Sequence, residues 1–299
     1  MKVINVVTQK GGTGKTETAK NLAYGIAKSG KKVLIIDLDP QSNSTTALLK
    51  TSKSIDEKVI NEIILSYDIH MKELELRNEE ATGIEGIDII HKYTKKYSSE
   101  FDTSSVLLNP KSIHDAIKKT EYDNLFILPA SSNLIDTDME LKKQCMGSDI
   151  RLTKALDLIQ NDFDVVIIDH SPFINALTIN GIRAAKNEGD LVIIPMKLDS
   201  TSLDGVDAIF QQMKEILEYA DLGFDFKLLF TMKNRNRLET KLEEMLRHVF
   251  PESCFQTTIR YQASPVTTAS LSKTLLLDKS HSNVSKDYQK LVNECLEML

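Results

Sequence analysis

The sequence contains no tryptophan and only three cysteines among its 299 residues. Cys145, Cys254 and Cys295 lie far apart, without a Cys-x-x-Cys pair or a neighbouring histidine pattern. We therefore expect free thiols, and neither a disulfide framework nor a zinc site. No stretch approaches the roughly 20 apolar residues that a membrane-spanning helix needs. The first strand leads at once into a glycine-rich loop, so we expect no secretory signal and a cytoplasmic protein.

Negatively charged residues outnumber positively charged ones, with 43 Asp and Glu against 37 Lys and Arg. The formal net charge is -6 and the isoelectric point is near 5.6. This balance argues against a protein coated in positive charge for nucleic acid, so any contact with DNA requires a local basic patch. Hydrophobic residues make up 41% of the chain and charged residues 27%, which is an ordinary composition for a globular protein. We expect residues 1–299 to form one large domain.

Short runs rich in Val, Ile and Leu alternate with helical patterns. Because these runs are continuously apolar, they predict strands that are buried on both faces, as in a parallel sheet between helices. The predicted strands cover residues 3–8, 32–37, 125–128, 164–169, 190–195 and 226–231. Helices are predicted over residues 19–26 (ended by Gly30), 151–159, 202–219 and 238–249 and from Ser285. The fold class is therefore α/β, with a doubly wound, mainly parallel sheet whose ligands bind beyond the carboxyl ends of the strands.

Residues 51 to about 104 interrupt this alternation. They are polar and charged, and their clear apolar clusters are confined to residues 59–65 and 87–90. We interpret them as an insertion of short helices and loops at one edge of the domain.

The segment from Lys10 to Thr16, Lys-Gly-Gly-Thr-Gly-Lys-Thr, follows a predicted strand and precedes a predicted helix. Glycines allow the backbone to curl so that successive N–H groups point at phosphate oxygens, and the helix adds its positive end. Lys15 then pairs with the β- and γ-phosphates, and the Thr16 hydroxyl holds Mg²⁺. The first glycine of GxxxxGK[ST] is replaced by Gln9. The predicted nucleotide-binding residues here are Gly11, Gly12, Thr13, Gly14, Lys15, Thr16 and Glu17.

This segment resembles the deviant Walker A motif of the ParA/MinD family of P-loop ATPases. The resemblance extends over residues 1–50 and about 105–290, and it implies the P-loop NTPase fold that ParA and MinD share with the nitrogenase iron protein. In this family the extra lysine, here Lys10, reaches across a dimer to the partner's nucleotide. Glu17 stands where relatives usually carry a second threonine, so an acid approaches the phosphates and is expected to weaken nucleotide affinity.

Two further segments are similar to this family. Residues 37–45 resemble its DxDPQxNxT motif, in which carboxylates face the γ-phosphate; we assign the orientation of the attacking water to Asp39, with Asp37 in support. Residues 163–172 resemble Walker B, so Asp169 is expected to bind Mg²⁺ through water. His170-Ser171-Pro172 replaces the usual pair of prolines. We expect His170 to be a solvated loop residue, although it could report on the γ-phosphate.

Met232 and Asn234 follow a predicted strand at the position where relatives approach the adenine. They are candidates for base contacts, but a plain turn after the strand explains them equally well.

The resemblance implies an ATP-dependent partition protein. ATP and Mg²⁺ close a homodimer, the dimer holds nonspecific DNA, and a centromere-binding adaptor protein stimulates hydrolysis. The protein is then cytoplasmic and associated with the nucleoid when ATP is bound. Nonspecific DNA contacts require only Lys and Arg aimed at phosphates. The candidates are Arg235, Arg237, Lys241, Arg247, Lys273, Lys279 and Lys286.

Other functions of the superfamily remain open. A MinD-like membrane-surface regulator needs a basic amphipathic C-terminal helix, but Glu294 and Glu297 oppose anionic lipids, so a packed closing helix is the preferred interpretation. An amidoligase-type synthetase shares the phosphate loop. The iron protein of nitrogenase needs a cysteine shortly after the Walker B acid, where Ser171, Pro172 and Phe173 stand instead. No helix-turn-helix precedes the first strand, so operator binding is not expected.

Overall fold

The computed structural model describes residues 1–50, 57–94, 99–144, 146–198, 225–234 and 236–299, together with the isolated residues 207, 211 and 214. Cys145, Arg235 and most of the helix predicted over residues 202–219 lie outside this set. Across the described residues, no helix is long and apolar enough to span a membrane.

Seven strands in the described part of the chain form one sheet in the order β3-β4-β2-β5-β1-β6-β7. All neighbouring strands are parallel except β3 and β4, which are antiparallel. The predicted doubly wound, mainly parallel sheet is therefore confirmed, while the short edge strand β3 was not predicted. The strands are β1 (Lys2–Val6), β2 (Val33–Leu38), β3 (Lys118–Lys119), β4 (Leu125–Leu128), β5 (Val165–His170), β6 (Leu191–Lys197) and β7 (Asp225–Thr231).

Helices connect the strands and cover both faces of the sheet. They are α1 (Lys15–Lys28), α2 (Asn43–Leu49), α3 (Glu57–Leu76), α4 (Ile84–Thr94), α5 (Thr103–Leu108), α6 (Ile113–Ala116), α7 (Leu134–Lys143), α8 (Arg151–Leu158), α9 (Ala176–Ala184), α10 (Arg237–Val249), α11 (Ala263–Leu271), α12 (Leu276–Lys279) and α13 (Asn283–Leu296). Single 3₁₀ turns lie at Pro110–Ser112 and Ser148–Ile150.

The alternation of side chains along each strand divides the core into layers. Ile35 of β2 and Ile167 of β5 pack on one face, with α1 and α13. Leu34 and Val166 pack on the other face, with helices that include α5 and α8. Both faces are thus dry, which explains why the strands read as continuous apolar runs.

The C-terminal helix α13 closes the α1 side of the sheet. Leu291, Val292 and Cys295 are fully buried in it, in the same core layer as α1. A Cβ at Gly25 of α1 would collide with Val292, so the absence of a side chain there permits the close approach of the two helices. The apolar residues of this helix therefore pack against the core, as the sequence predicted.

Helices α3 and α4 fill most of the region predicted as an insertion. The sequence predicted short helices here, but α3 is 20 residues long. A Cβ at Gly86 would lie 3.4 Å from the ring of Tyr67, so the two helices run against each other as a hairpin. Helix α5, which begins at Thr103, already belongs to the core through Val106 and Leu107.

Candidate functional site

The glycine-rich loop lies between β1 and α1, as predicted. Gly12 and Gly14 have φ values of 72° and 79°, a backbone region that side chains disfavour, so glycine is required at both positions. The Thr231 hydroxyl at the end of β7 donates to the Thr13 carbonyl oxygen at 2.8 Å. The Thr13 hydroxyl lies 3.4 Å from the Lys10 carbonyl oxygen. The loop is therefore held both internally and by the end of β7.

Lys15 lies at the first position of α1 and is 7% exposed. Its ammonium nitrogen is 3.3 Å from Asp169 Oδ1 and also donates to the His170 carbonyl oxygen. The Thr16 hydroxyl lies 3.4 Å from the same Asp169 oxygen. The structure thus brings the predicted phosphate loop and the predicted Walker B acid together, although more than 150 residues separate them.

Asp37 and Asp169 are directly opposite each other at the ends of β2 and β5. Both are fully buried. Burial, followed by repulsion from Asp169, raises the pKa of Asp37 to about 7, although hydrogen bonds from Thr45 and Asp39 oppose the shift. Two carboxyl groups this close favour a proton or a cation between them.

Helix α2 supplies hydroxyl groups to this acid pair. The Ser44 hydroxyl donates to Asp169 Oδ2 at 2.7 Å. The Thr45 backbone N–H and hydroxyl donate to Asp37 Oδ2 at 2.9 and 2.8 Å. Sequence reasoning assigned no role to these two residues, although both lie within the motif over residues 37–45. Since Ser and Thr are common wherever a helix begins, only the position after the two acids could have identified them.

Asp39 lies just beyond the acid pair and is 6% exposed. Its backbone N–H donates to Asp37 Oδ1 at 3.1 Å, and its Oδ1 accepts from the backbone N–H of Gln41 at 2.8 Å. These bonds fix the turn that follows β2 and direct Asp39 into the same cavity as the phosphate loop.

A cavity of about 690 Å³ collects most of the predicted site residues. This volume lies in the range of small-molecule and cofactor sites. Residues 10–17 and Asp39 form one side, and Leu134, Ile135 and Met139 of α7 line it together with Phe173. Met232 also contributes, whereas Asn234 is not among its lining residues.

Glu17 is drawn toward its own helix. Lys20 Nζ lies 2.5 Å from Glu17 Oε1, and Asn21 Nδ2 lies 3.2 Å from Oε2. Lys20 is only 6% exposed, so its charge offsets the acid inside the structure. A weakening of nucleotide affinity by Glu17 stays a prediction, but the acid reaches the cavity already paired.

The expectation of a solvated loop histidine at position 170 was wrong. Strand β5 continues one residue past Asp169, so the His170 ring is fully buried and its Nε2 lies 2.7 Å from Asn5 Oδ1. A Cβ at Gly181 would collide with the ring, so glycine makes room for it. Burial, followed by the charge of Lys15, lowers the pKa of His170 to about 3. The imidazole is therefore neutral at physiological pH.

The predicted base contacts occupy different surroundings. Met232 adopts a positive φ of 52° and lies beside Gly14, with its Cε 3.7 Å from the position of a Cβ there. Asn234 is exposed, and its backbone N–H donates to Glu239 Oε2 at 3.0 Å.

The basic residues predicted to contact DNA also differ in their surroundings. The Arg247 side chain makes its contacts inside the domain: it pairs with Glu243 at 2.9 Å and donates to the Phe255 carbonyl oxygen at 2.6 Å. Lys241 is exposed and pairs with Glu244 at 2.7 Å. Lys273 is half-buried, and burial lowers its pKa. The exposed candidates in the described part of the chain also include Arg237, Lys279 and Lys286.

Comparison with known proteins places this site in a family context. The sequence model of the family AAA_31, described as an AAA domain, matches residues 1–225. The sporulation initiation inhibitor protein Soj of Bacillus subtilis is 26% identical over 98% of this chain and 97% of its own length. The chromosome partitioning protein ParA of Caulobacter vibrioides is 26% identical over 99% of this chain and 94% of its own length.

Solved structures share the fold over the whole chain. A plasmid partition protein from Borrelia burgdorferi superposes with a TM-score of 0.66 at 19% identity, covering 100% of this chain and 99% of its own. Cobyrinic acid a,c-diamide synthase from Mycobacterium smegmatis, with a bound ATP analog and magnesium, gives a TM-score of 0.68 at 20% identity, covering 99% and 95%. Because the family model matches more than half of this sequence, the chain belongs to the AAA domain family AAA_31, and its predicted kinship with ParA-type partition ATPases is confirmed at the family level.

Proposed function

We propose that this chain is a Mg²⁺-dependent ATPase that acts in DNA partition. The observation that carries the proposal is the convergence of the phosphate loop and Asp39 on one cavity, next to the buried pair of Asp37 and Asp169. The relatives named Soj and ParA support the partition role at the level of the family.

The loop fits a nucleotide triphosphate. Backbone N–H groups of residues 11–16 and the positive end of α1 favour anionic oxygens, and Lys15 adds a full positive charge. The positive φ angles of Gly12 and Gly14 fit a loop that curls around phosphates. Met232 lies beside Gly14 and is a proposed base contact, and Asn234 is a weaker one.

The oxygen atoms beside the loop fit Mg²⁺, which prefers hard oxygen ligands. Thr16 and Asp169 are the proposed metal residues, and Ser44 holds the second Asp169 oxygen. Burial, followed by repulsion from Asp169, raises the pKa of Asp37 to about 7, so a cation beside the acid pair would be favourable. When bound, Mg²⁺ would neutralise phosphate charge, while Thr16 and Asp169 keep it oriented.

The residues of this chain supply the rest of hydrolysis. Asp39 orients the attacking water and Asp37 fixes the Asp39 backbone, while Lys15 stabilises negative charge on the transferred phosphoryl group. Lys10 lines the cavity. It stands at the sequence position of the family's extra lysine, which reaches a partner's nucleotide. We therefore propose an ATP-dependent homodimer with slow turnover, stimulated by a centromere-binding adaptor.

ATP binding would then control a basic surface that holds nonspecific DNA and brings the protein to the nucleoid. Arg237, Lys241, Lys279 and Lys286 are the better candidates because their side chains are exposed. Lys273 and Arg247 are weaker candidates, and Arg235 remains a candidate from sequence alone.

The test of this proposal measures DNA retention with ATP, with ADP and without nucleotide across a salt series. We expect retention only with ATP and a steep loss with salt. Nucleotide-independent or absent retention contradicts the proposal.

One observation favours an amidoligase-type synthetase as the second candidate. Ile135, Met139 and Phe173 form an exposed apolar wall beside the phosphate loop, where a second substrate could bind. The structural similarity to cobyrinic acid a,c-diamide synthase agrees with this candidate but reflects the fold alone. Glutamine-dependent ATP consumption would support the synthetase. The burial of Leu291 and Val292 in α13 argues against a MinD-like membrane helix.

A further inference from the structure

The hairpin of α3 and α4, residues 57–94, exposes an unusual amount of apolar surface between residues 57 and 90. Its large hydrophobic side chains are 39–86% exposed at nine positions, whereas those of the sheet are almost all buried. An exposed apolar surface of this size marks an interaction site more often than a free surface. The nine residues are Ile60, Ile64, Leu65, Tyr67, Ile69, Leu76, Ile84, Ile87 and Ile90.

Helical spacing arranges these residues in stripes. Ile60, Ile64 and Tyr67 follow one another at i, i+4 and i+7, and therefore share one face of α3. Leu65 and Ile69 lie on another face of the same helix. Such stripes are the form in which a helix presents itself to a second helix.

The same hairpin is strongly acidic. Residues 57–94 contain seven glutamates and two aspartates against Lys58, Lys72, Arg77 and Lys92, which gives a formal charge of -5. The whole chain has a charge of -6, so the remaining residues together carry only -1. A groove of about 460 Å³ is bordered by Asp68 and Glu75 of α3 and by Glu79, which follows the helix; Met71, Leu74 and Lys72 also line it.

We propose that this hairpin is a docking surface for a cationic amphipathic segment of a partner protein. Apolar stripes select an amphipathic segment, and the acidic borders select positive charge. The hairpin of a second copy of the chain fits poorly, because it would bring a charge of -5 against -5. Nucleic acid and anionic lipid are opposed by the same charge.

The hairpin follows α2 in the chain, and this connection links docking at the hairpin to the nucleotide site. Helix α2 ends at Leu49 and α3 begins at Glu57. Ser44 and Thr45 of α2 hold Asp169 and Asp37. A partner that restrains α3 therefore acts on a helix that begins twelve residues after Thr45, one of the groups that orient the acids. This link to turnover rests on the proposed ATPase function, whereas binding to the hairpin does not.

The binding experiment uses the full chain without nucleotide, so its result is independent of ATP hydrolysis. The probe is a fluorescent Leu/Lys amphipathic peptide of the same 20-residue length as α3. A scrambled peptide of identical composition is its control. Fluorescence anisotropy measures the dissociation constant across a salt series.

Two hairpin variants and two matched variants elsewhere locate the binding surface. Asp68→Lys/Glu75→Lys reverses hairpin charge, and Asp123→Lys/Glu252→Lys reverses exposed charge far along the sequence. Ile64→Ser/Ile87→Ser removes exposed apolar side chains, and Leu158→Ser/Val249→Ser does so at similar exposures of 50% and 54%. Circular dichroism and the melting temperature check that each variant folds.

We expect each hairpin variant to weaken binding of the amphipathic peptide by about tenfold or more, with both matched variants within about twofold of wild type. The scrambled peptide should bind at least about tenfold more weakly, and salt should weaken the intact interaction. Equal losses in matched and hairpin variants, or no binding at all, overturn the proposal. So does a wild-type dimer in light scattering that Ile64→Ser/Ile87→Ser converts to monomer, because a second copy then covers the surface.

Discussion

The phosphate-loop cavity and the α3–α4 hairpin both place side chains in surroundings that are unfavourable in free energy, but in opposite ways. At the cavity, charged groups are buried: Asp37 and Asp169 are inaccessible, and Lys15 is 7% exposed. At the hairpin, apolar groups are exposed: Leu76 is 86% and Ile84 62% exposed. Burying a charge costs free energy unless it is paired, and exposing apolar surface forgoes burial.

The two regions differ in how the cost is met. In the cavity, hydrogen bonds and opposite charges within the chain already compensate Lys15, Asp37 and Asp169 in part. In the hairpin, the exposed isoleucines gain burial only through something outside the described chain. We infer that the cavity is organised in advance for its ligand, whereas the hairpin gains most of its packing from its occupant.

Removal of the ammonium group of Lys15 should have the largest effect on the organised region. The Lys15→Ala variant leaves Asp169 without its charged partner and removes the proposed β- and γ-phosphate contact. We expect nucleotide affinity to fall by at least about 100-fold in calorimetry with Mg²⁺. The exposed Lys31→Ala is the matched control and should bind as wild type. Unchanged affinity of Lys15→Ala contradicts its role.

Asp39 should affect turnover rather than assembly. The Asp39→Ala variant keeps the phosphate loop and the Asp37–Asp169 pair, so nucleotide binding and ATP-dependent dimers should persist. Loss of the residue that orients water should reduce ATP hydrolysis by about 10²–10⁴-fold. Asp123→Ala, in an exposed turn, is the control. Hydrolysis at the wild-type rate by Asp39→Ala would transfer the role to another residue.

Asp37 allows the electrostatic cost of the cavity to be measured. Its pKa is raised from 3.8 to about 7, so at intermediate pH the folded chain retains a proton that the unfolded chain has lost. The folded state binds more protons, and stability from this group therefore falls as pH rises from about 4 to about 7. Relative to wild type without Mg²⁺, Asp37→Asn should gain about 1–3 kcal/mol across this window. Denaturant unfolding at several pH values measures the difference. A difference independent of pH contradicts the assignment.

Most of the site could be predicted from sequence because local patterns carry it. The loop over residues 10–16 needs glycine at fixed positions, and Asp37 and Asp169 end apolar strands, so the rule for parallel sheets places them together. His170 could not be placed this way. The burial of His170 depends on two features: β5 extends one residue past Asp169, and Gly181 of α9 has no side chain to occupy the space of the ring.

The hairpin was the least predictable part of the fold. Its polar composition suggested short helices and loops, because many apolar positions that form α3 are exposed and do not follow a single buried stripe. Helix length here is set by local propensity and by the pairing of α3 with α4, rather than by packing on the sheet. The surroundings of Arg247 were equally hidden, since its partners lie in a later loop as well as on its own helix.

A matched pair of glycine substitutions, one in each region, should show how differently the two regions are packed. The expected changes in unfolding free energy are smaller than the effects above. In Gly181→Ala of α9, the new Cβ meets the His170 ring and Leu38, and the tightly packed site cannot yield without moving them. We expect a loss of about 1–3 kcal/mol in unfolding free energy. In Gly86→Ala of α4, the new Cβ would lie 3.4 Å from Tyr67, an ordinary contact, and alanine favours helix by up to about 1 kcal/mol. Denaturant unfolding should therefore show opposite signs. Equal destabilisation by both would mean that the hairpin is packed as rigidly as the nucleotide site.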